Sequence, residues 1–220
     1  MNHRTRLCAV VLLLPIVAVR ADEGRSPWYA TALVGAADQA RRTLDYSLDG
    51  SSTRARSGYD AGLLVGAAVG YRFADAWRAE AEFTYQSTSV EGNPFAGTDG
   101  PAGNGNHAAT TLAVNLYREF DLIGSPAIRT YVGSGAVFLT ENDIDLKVAG
   151  QPGSSFSGNG VGVQFLLGAR YELGRHWFFD LGLRQLIAGT IDMKGEGRTE
   201  GRIRSRFEPR AITFAAGWRF

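Results

Sequence analysis

The chain has 220 residues, of which 28 are glycine, and its formal net charge at pH 7 is +1. This length suits one domain of ordinary size or one barrel. The glycine content favours turns and closely packed strands over helices, in which glycine is destabilising. A nearly neutral charge excludes the strongly basic surface that nucleic-acid binding requires.

Residues 1–21 have the features of a secretory signal peptide. Two arginines begin the segment, a short apolar run follows over residues 7–19, and small side chains at its end supply a cleavage site. We therefore expect an exported mature chain of residues 22–220. The signal contains three arginines and the only cysteine, Cys8, so the mature chain has a net charge of −2 and cannot form disulfides.

Eight runs of alternating or apolar residues follow the signal, each about as long as a tilted membrane strand. In chain order, the predicted strands cover residues 28–38, 59–73, 77–86, 108–120, 128–140, 160–173, 177–186 and from about 206 to 220. No stretch of the mature chain has the roughly 18 consecutive apolar residues of a membrane helix. If the mature chain enters a membrane, it must therefore do so as a closed β-barrel.

The third predicted strand has the most regular pattern. Successive side chains of a strand point to opposite faces, and here apolar and polar residues alternate without interruption. The apolar face contains Trp77, Ala79, Ala81, Phe83 and Tyr85. In a barrel, the charged side chains of the opposite face would point into the lumen.

The last predicted strand ends on an aromatic residue. Residues 211–220 read AITFAAGWRF, in which every second side chain is apolar and mostly large, and small or polar ones fill the other positions. One face of this strand is therefore suited to lipid. Its large apolar residues are Ile212, Phe214, Trp218 and Phe220.

The connections between the predicted strands alternate strictly in length. Three are short, and four are long, covering residues 39–58, 87–107, 141–159 and 187–205. Outer-membrane barrels have this asymmetry, and aromatic residues recur beside the short turns as an interfacial girdle requires. The sequence predicts an all-β fold, an eight-stranded antiparallel transmembrane β-barrel with short periplasmic turns and four long extracellular loops. A soluble barrel of the lipocalin type, with the aromatics in its core, is the alternative.

Four strings of the mature chain carry a resemblance to a known family. They are NLYREF at residues 115–120, TYVGSGAVF at 130–138, GARYEL at 168–173 and ITFAAGWRF at 212–220. In their order and spacing they resemble the small eight-stranded outer-membrane proteins of the OmpA-like and opacity-protein surface antigen type. The resemblance covers essentially the whole mature chain and implies a place in the outer membrane of a Gram-negative bacterium.

The resemblance also implies a role for the last strand. In that family, the barrel assembly machinery reads the terminal aromatic residue and the alternating apolar residues before it. The same role is implied for Phe220, Trp218, Phe214 and Ile212. Larger relatives carry a peptidoglycan-binding domain after the barrel, and we expect none here because the sequence stops at Phe220.

Charged residues on the inward faces make the lumen the first candidate site. An eight-stranded barrel is about wide enough for its own side chains to fill, and buried charges are tolerated only when they are paired. We therefore expect an ion-pair network that plugs the lumen. Its members are Arg78, Glu80, Glu82, Arg170, Glu172, Asp180 and Arg184. A narrow or gated conduit is the alternative.

The long loops supply further candidates. Arg202, Arg204 and Arg206 would lie near the outer rim, where they could pair with the phosphates of lipopolysaccharide. The acidic residues nearby fit a solvated loop of mixed charge equally well. The carboxylates between residues 141 and 145 lack the glycine and the terminal glutamate of an EF-hand. We expect no metal and no cofactor.

A lipid-modifying outer-membrane enzyme would need a base beside a nucleophile. The mature chain has two histidines. His176 lies in a predicted periplasmic turn, and His107 lies at the outer end of the fourth predicted strand, without a serine at strand spacing. We interpret His107 as a loop residue and assign no catalytic residue.

Together, these observations predict a monomeric, non-enzymatic outer-membrane barrel that acts as a structural surface antigen. Its loops would serve adhesion or the binding of a host-surface or other extracellular ligand. Outer-membrane lipid, lipopolysaccharide and the barrel assembly machinery are the other expected partners, and nucleic acid is not one. A small-solute porin is the alternative, and an enzyme that modifies lipid A is a distant third.

Overall fold

The computed structural model describes residues 26–39, 42–48, 51–59, 61–91, 104–147, 154–197 and 201–220. The predicted signal, residues 1–21, lies outside these ranges. The strands are β1 (Trp28–Asp38), β2 (Arg42–Leu48), β3 (Ser51–Tyr59), β4 (Gly62–Ala74), β5 (Trp77–Glu91), β6 (Asn104–Phe120), β7 (Ile128–Lys147), β8 (Ser154–Leu173), β9 (Trp177–Ile187), β10 (Thr190–Gly195), β11 (Arg202–Arg206) and β12 (Arg210–Arg219). The described part of the chain contains no helix that is long and apolar enough to span a membrane.

Eight of these strands close into an antiparallel barrel in the order β1, β4, β5, β6, β7, β8, β9 and β12. The first and last of them pair from Tyr29 opposite Arg219 to Asp38 opposite Arg210. Closure leaves no strand edge in the membrane, where water cannot hydrogen-bond to unpaired backbone groups. The predicted fold class is confirmed.

The remaining four strands extend the barrel on the extracellular side. Hairpin β2–β3 connects β1 to β4, and hairpin β10–β11 connects β9 to β12. The hairpins pair with each other where Asp45 lies opposite Arg204, and they join the long strands β5 and β8 at their other edges. With β6 and β7, these strands form a second closed ring of eight, which we call the extracellular ring.

The long extracellular connections therefore contain more strand than the sequence pattern predicted. β5 continues to Glu91, β6 begins at Asn104, and the hairpin of β7 and β8 extends to Lys147 and Ser154. The first connection, predicted over residues 39–58, is mostly the β2–β3 hairpin. Glycine, serine and short polar side chains dominate these stretches, so their alternation is too weak to indicate strands.

Two barrel strands begin later than predicted. Tyr59 ends β3 instead of opening the second barrel strand, which begins at Gly62. The last barrel strand begins at Arg210, four residues later than predicted, because Pro209 cannot donate a ladder hydrogen bond. The Pro209 carbonyl still accepts a hydrogen bond of 3.0 Å from the backbone of Leu186, so the wall stays connected there.

The outward face of the membrane barrel is apolar, as a lipid-facing surface must be. Its exposed side chains include Val34, Val69, Leu112, Leu181 and Phe214. Beside the short turns, Trp28 packs edge-to-face on Tyr71, and Trp177 packs in the same way on Trp218, each with ring centroids 4.8 Å apart. These rings form the interfacial girdle that the sequence predicted.

Candidate functional site

The periplasmic half of the lumen contains a buried network of arginines and carboxylates. Arg78 pairs with Glu80, and its Nε lies 3.0 Å from Glu119 Oε1. Arg170 binds Asp180 through two hydrogen bonds of 2.8 Å. Side-chain exposure is below a tenth for all five residues, so each charge depends on its partners rather than on water.

Aromatic rings enclose this network. The Arg78 guanidinium lies 3.7 Å from the ring centroid of Tyr117, and the Arg170 guanidinium lies 3.8 Å from that of Phe178. Tyr29 donates a hydrogen bond of 2.7 Å to Glu80. Cation–π contacts of desolvated guanidinium groups are favourable, so the rings fill the lumen and also stabilise its cations.

A second charged layer lies in the middle of the barrel. Arg184 binds both carboxylate oxygens of Glu82, at 3.0 and 2.8 Å. Gln164 donates to Glu82 at 3.2 Å and to Asn115 at 2.6 Å. These contacts cross from β5 to β9 through the centre of the lumen, and they block it at this level.

Glu172, the remaining predicted luminal residue, lies at the periplasmic mouth and, among the described residues, joins the network only through Arg72, which also pairs with Glu119. Its partners are Arg219 at 2.9 Å and Arg72 at 3.7 Å. Sequence analysis did not select Arg72, Arg219 or Glu119. The alternation of side chains along the strand could have identified Glu119 as inward-facing, because Tyr117 and Asn115 lie on the same face.

Above the charged layers, the lumen contains a large group of buried apolar side chains. A buried cluster, which we call the apolar cap, joins hairpin β10–β11 to strands β6 to β9. It consists of Ala109, Ala113, Val137, Leu139, Ile144, Phe156, Leu186, Ile191, Met193, Ile203 and Phe207. The sequence analysis did not predict this cap, although Ile191 and Met193 alternate with polar residues in a stretch interpreted as a loop. The cap fills the part of the lumen next to hairpin β10–β11.

The interpretation of His107 as a loop residue is wrong. His107 lies inside β6 with 3% of its surface exposed, and its Nε2 is 2.7 Å from the side-chain oxygen of Asn142. It is located on the extracellular side of the membrane-spanning part of β6, packed edge-to-face on Phe207. Burial lowers the pKa of His107 to about 4, so the imidazole is neutral at neutral pH.

Where its side chains are described, the outer face of the extracellular ring is polar. Arg202, Arg204 and Arg206 all point outward from β11, and Arg204 pairs with Asp192 of β10. On β7, the neighbouring carboxylate of Asp143 raises the pKa of Glu141. Within the described ranges, no group of three histidine, cysteine or carboxylate residues could hold a metal ion.

The residues predicted to signal assembly lie on the lipid-facing side of β12. Ile212, Phe214 and Trp218 are exposed there, and each is flanked by partners on β1 and β9. The backbone N–H of Phe220 donates a 3.2 Å hydrogen bond to the carbonyl of Trp28. This bond ties residue 220 to the first strand at the periplasmic rim.

A closed eight-stranded barrel with an apolar outer belt, an aromatic girdle and a charged, filled interior defines a small outer-membrane barrel protein. The model of the outer membrane protein beta-barrel domain family matches residues 7–220, and the chain belongs to this family. Its location is accordingly the outer membrane.

Solved structures show the same fold. OprG, an outer membrane protein from Pseudomonas aeruginosa, is 16% identical with a TM-score of 0.61, over 89% of this chain and 97% of OprG. Neisserial surface protein A (NspA) is 18% identical with a TM-score of 0.50, over 90% of this chain and 100% of NspA. At these identities, the likeness is one of fold alone. No curated protein sequence matches the chain.

Proposed function

We propose that this protein is a monomeric, non-conducting surface antigen that binds extracellular ligands, with adhesion as its principal role. The observation that carries this proposal is the extracellular ring, a closed sheet that continues the barrel beyond the membrane. The apolar cap packs inside it, while the described outward side chains on β7, β10 and β11 beyond the membrane are polar. A polar surface formed by paired strands suits recognition, because its backbone is already ordered before binding.

The charges on the ring support binding rather than transport. Outward-facing charges of both signs lie on its strands, among them Asp145 on β7, Lys194 on β10 and Arg202 on β11. These side chains are exposed, whereas the charges of the lumen are buried in ion pairs. On the extracellular side, these exposed charges are therefore on the outside of the ring rather than in the lumen.

Adhesion can be tested on whole cells. Non-adherent bacteria that produce the protein should bind to epithelial monolayers. A triple variant, Asp145→Ser, Lys194→Ser and Arg202→Ser, should reduce adhesion to the level of cells without the protein, because it removes three charges from the ring. The matched control replaces Arg118, Asp121 and Arg175, three exposed charges at the periplasmic end. Adhesion that is absent from the start, or unchanged in the ring variant, would contradict the proposal.

The alternative function, a narrow channel, predicts a different result in planar bilayers. The unmodified protein should give no stable conductance steps, because the Glu82–Arg184 layer and the apolar cap both lie across the lumen. A general porin reconstituted under the same conditions provides the positive control. Large and stable steps from the unmodified protein would favour the porin and refute a filled lumen.

We also propose that the last strand directs assembly of the barrel and that the protein is not an enzyme. The face formed by Ile212, Phe214, Trp218 and Phe220 would be the surface that the barrel assembly machinery reads. His107 hydrogen-bonds to Asn142 beneath the ring surface, which gives it no access to an outer-leaflet substrate. We therefore assign no enzymatic role to it.

A further inference from the structure

Polar side chains interrupt the lipid-facing surface near its extracellular end. In one row across strands β1, β12, β9 and β8, the outward neighbours are Asp38, Arg210, Gln185 and Phe165. The next row toward the periplasm is apolar and consists of Ala36, Ile212, Leu183 and Leu167. Lysine and arginine on the lipid face of a barrel are unfavourable to a degree that depends on depth. The position of Arg210 therefore suggests that its charge is bound by an anionic partner.

The two rows border an outward-facing groove with a volume of about 580 Å³. Ala36 lines this groove with only a methyl group, and its register neighbours Ile212 on β12 and Leu63 on β4 are larger. Leu183 and Leu167 each expose more than half of their surface beside it. Its lining is mostly apolar, as an acyl chain requires, with Asp38, Gln185 and Arg210 among the polar residues that border it.

The guanidinium of Arg210 is held in place at the extracellular end of this groove. Its Nε donates a 2.7 Å hydrogen bond to the side-chain oxygen of Gln185. Gln185 is fixed in turn, because its amide donates to the carbonyls of Leu186 at 2.9 Å and Pro209 at 3.3 Å. Asp38 lies opposite Arg210 on β1 and also lines the groove, but among the described residues no carboxylate, Asp38 included, forms an ion pair with Arg210. Its two terminal nitrogens are thus available to an anion.

Arg206 extends the positive charge toward the outside. It lies four residues before Arg210, about 13 Å along an extended chain, and it is exposed. The described residues contain no ion-pair partner for it either. Arg204 differs, because Asp192 neutralises it. The cations available nearest to the groove are therefore Arg206 and Arg210.

We propose that the groove, Arg210 and Arg206 form a binding site for one molecule of lipopolysaccharide. An acyl chain of its lipid A would occupy the groove, and its phosphates would bind the two guanidinium groups, which pair well with phosphate oxygens. The location selects this lipid over a phospholipid. The site lies in the extracellular half of the barrel, and two separated cations suit a headgroup with two phosphates. This inference does not depend on the proposed adhesion function.

Native mass spectrometry of the detergent-solubilised protein tests the site, with diphosphorylated lipid A as the probe. We expect one retained lipid A. Arg210→Gln should weaken binding about tenfold, because one charge-assisted hydrogen-bonding group is lost. Ala36→Phe should weaken it as well, by filling the groove without changing the charge. Arg118→Gln is the matched control, since Arg118 is also outward-facing but lies near Trp77 at the periplasmic end.

Each variant is first checked for the heat-dependent electrophoretic mobility of a folded barrel, so that loss of binding is not confused with loss of fold. Monophosphorylated lipid A should bind more weakly than the diphosphorylated form. Phosphatidylglycerol should compete poorly. Unchanged binding in the double variant Arg206→Gln and Arg210→Gln would overturn the proposal. So would equal binding of phosphatidylglycerol, which would indicate an unspecific lipid contact.

Discussion

Arg184→Met should destabilise the barrel by about 3–5 kcal/mol, because it leaves the Glu82 carboxylate buried without a cation. Glu82 has 2% of its side chain exposed, and Arg184 is its sole ion-pair partner among the described residues. Neither Gln164 nor Asn115 can replace the missing charge, since both are neutral. The free energy of unfolding, measured by urea titration in phospholipid vesicles with tryptophan fluorescence, gives the effect directly.

The double variant Arg184→Met and Glu82→Gln separates loss of the ion pair from loss of packing. Removing both charges should recover much of the stability, because replacing a whole buried pair is often neutral. Arg202→Met is the matched control, as Arg202 is exposed on the extracellular ring. A change below about 1 kcal/mol for Arg184→Met would be typical of a surface pair. It would mean that water reaches Glu82 and that the lumen is not filled.

The sequence predicted the membrane barrel well because the bilayer imposes a strong pattern on it. The strand Trp28–Asp38 was predicted with both its boundaries correct. The third predicted strand was right in its start at Trp77 and in the direction of its faces, with Glu80 and Glu82 buried and Phe83 exposed. Lipid contacts the outer face and the crowded lumen contacts the inner face, so apolar and polar residues must alternate along each strand. This alternation is visible in the sequence.

The extracellular ring could not be predicted in the same way. Outside the membrane, water can solvate the outer face, so small and polar residues are sufficient there. Only the inward positions are constrained, and hairpin β10–β11 has few of them, with Ile191, Met193 and Ile203 in the cap. His107 was misjudged for this reason. The strand β7 that covers it contains Asn142 and Ile144, which lie beyond the predicted boundary at residue 140.

The partners within the lumen depend on closure of the barrel, which sequence alone does not reveal. Arg78 and Glu80 lie on one strand, but Glu119 reaches them from β6 and Arg170 from β8. Alternation identifies which charges face inward, and the register between strands decides which of them meet. Glu172 illustrates the difference, because it faces inward yet binds Arg219 at the periplasmic mouth.

Gly217→Val should also destabilise the barrel, by about 1–3 kcal/mol or more, through overpacking of the lumen. A side chain at position 217 would overlap the ring of Phe178, which lies directly over this glycine. The ring cannot move aside. Tyr29 packs edge-to-face on it at 5.3 Å between ring centroids, and the Arg170 guanidinium covers it at 3.8 Å. Ala216→Val is the matched control, because residue 216 points away from the lumen.

A second substitution shows whether the ring is the cause. In a Phe178→Ala background, which is itself destabilised by loss of a buried ring, Gly217→Val should have little further effect. The two substitutions act on the same volume and are therefore not additive. Equal losses in both backgrounds would place the strain in the backbone of β12 instead. A non-additive result would show that glycine is required at position 217 because the Phe178 ring occupies the space beside it. The packing of the lumen would then explain one residue of the closing strand's sequence.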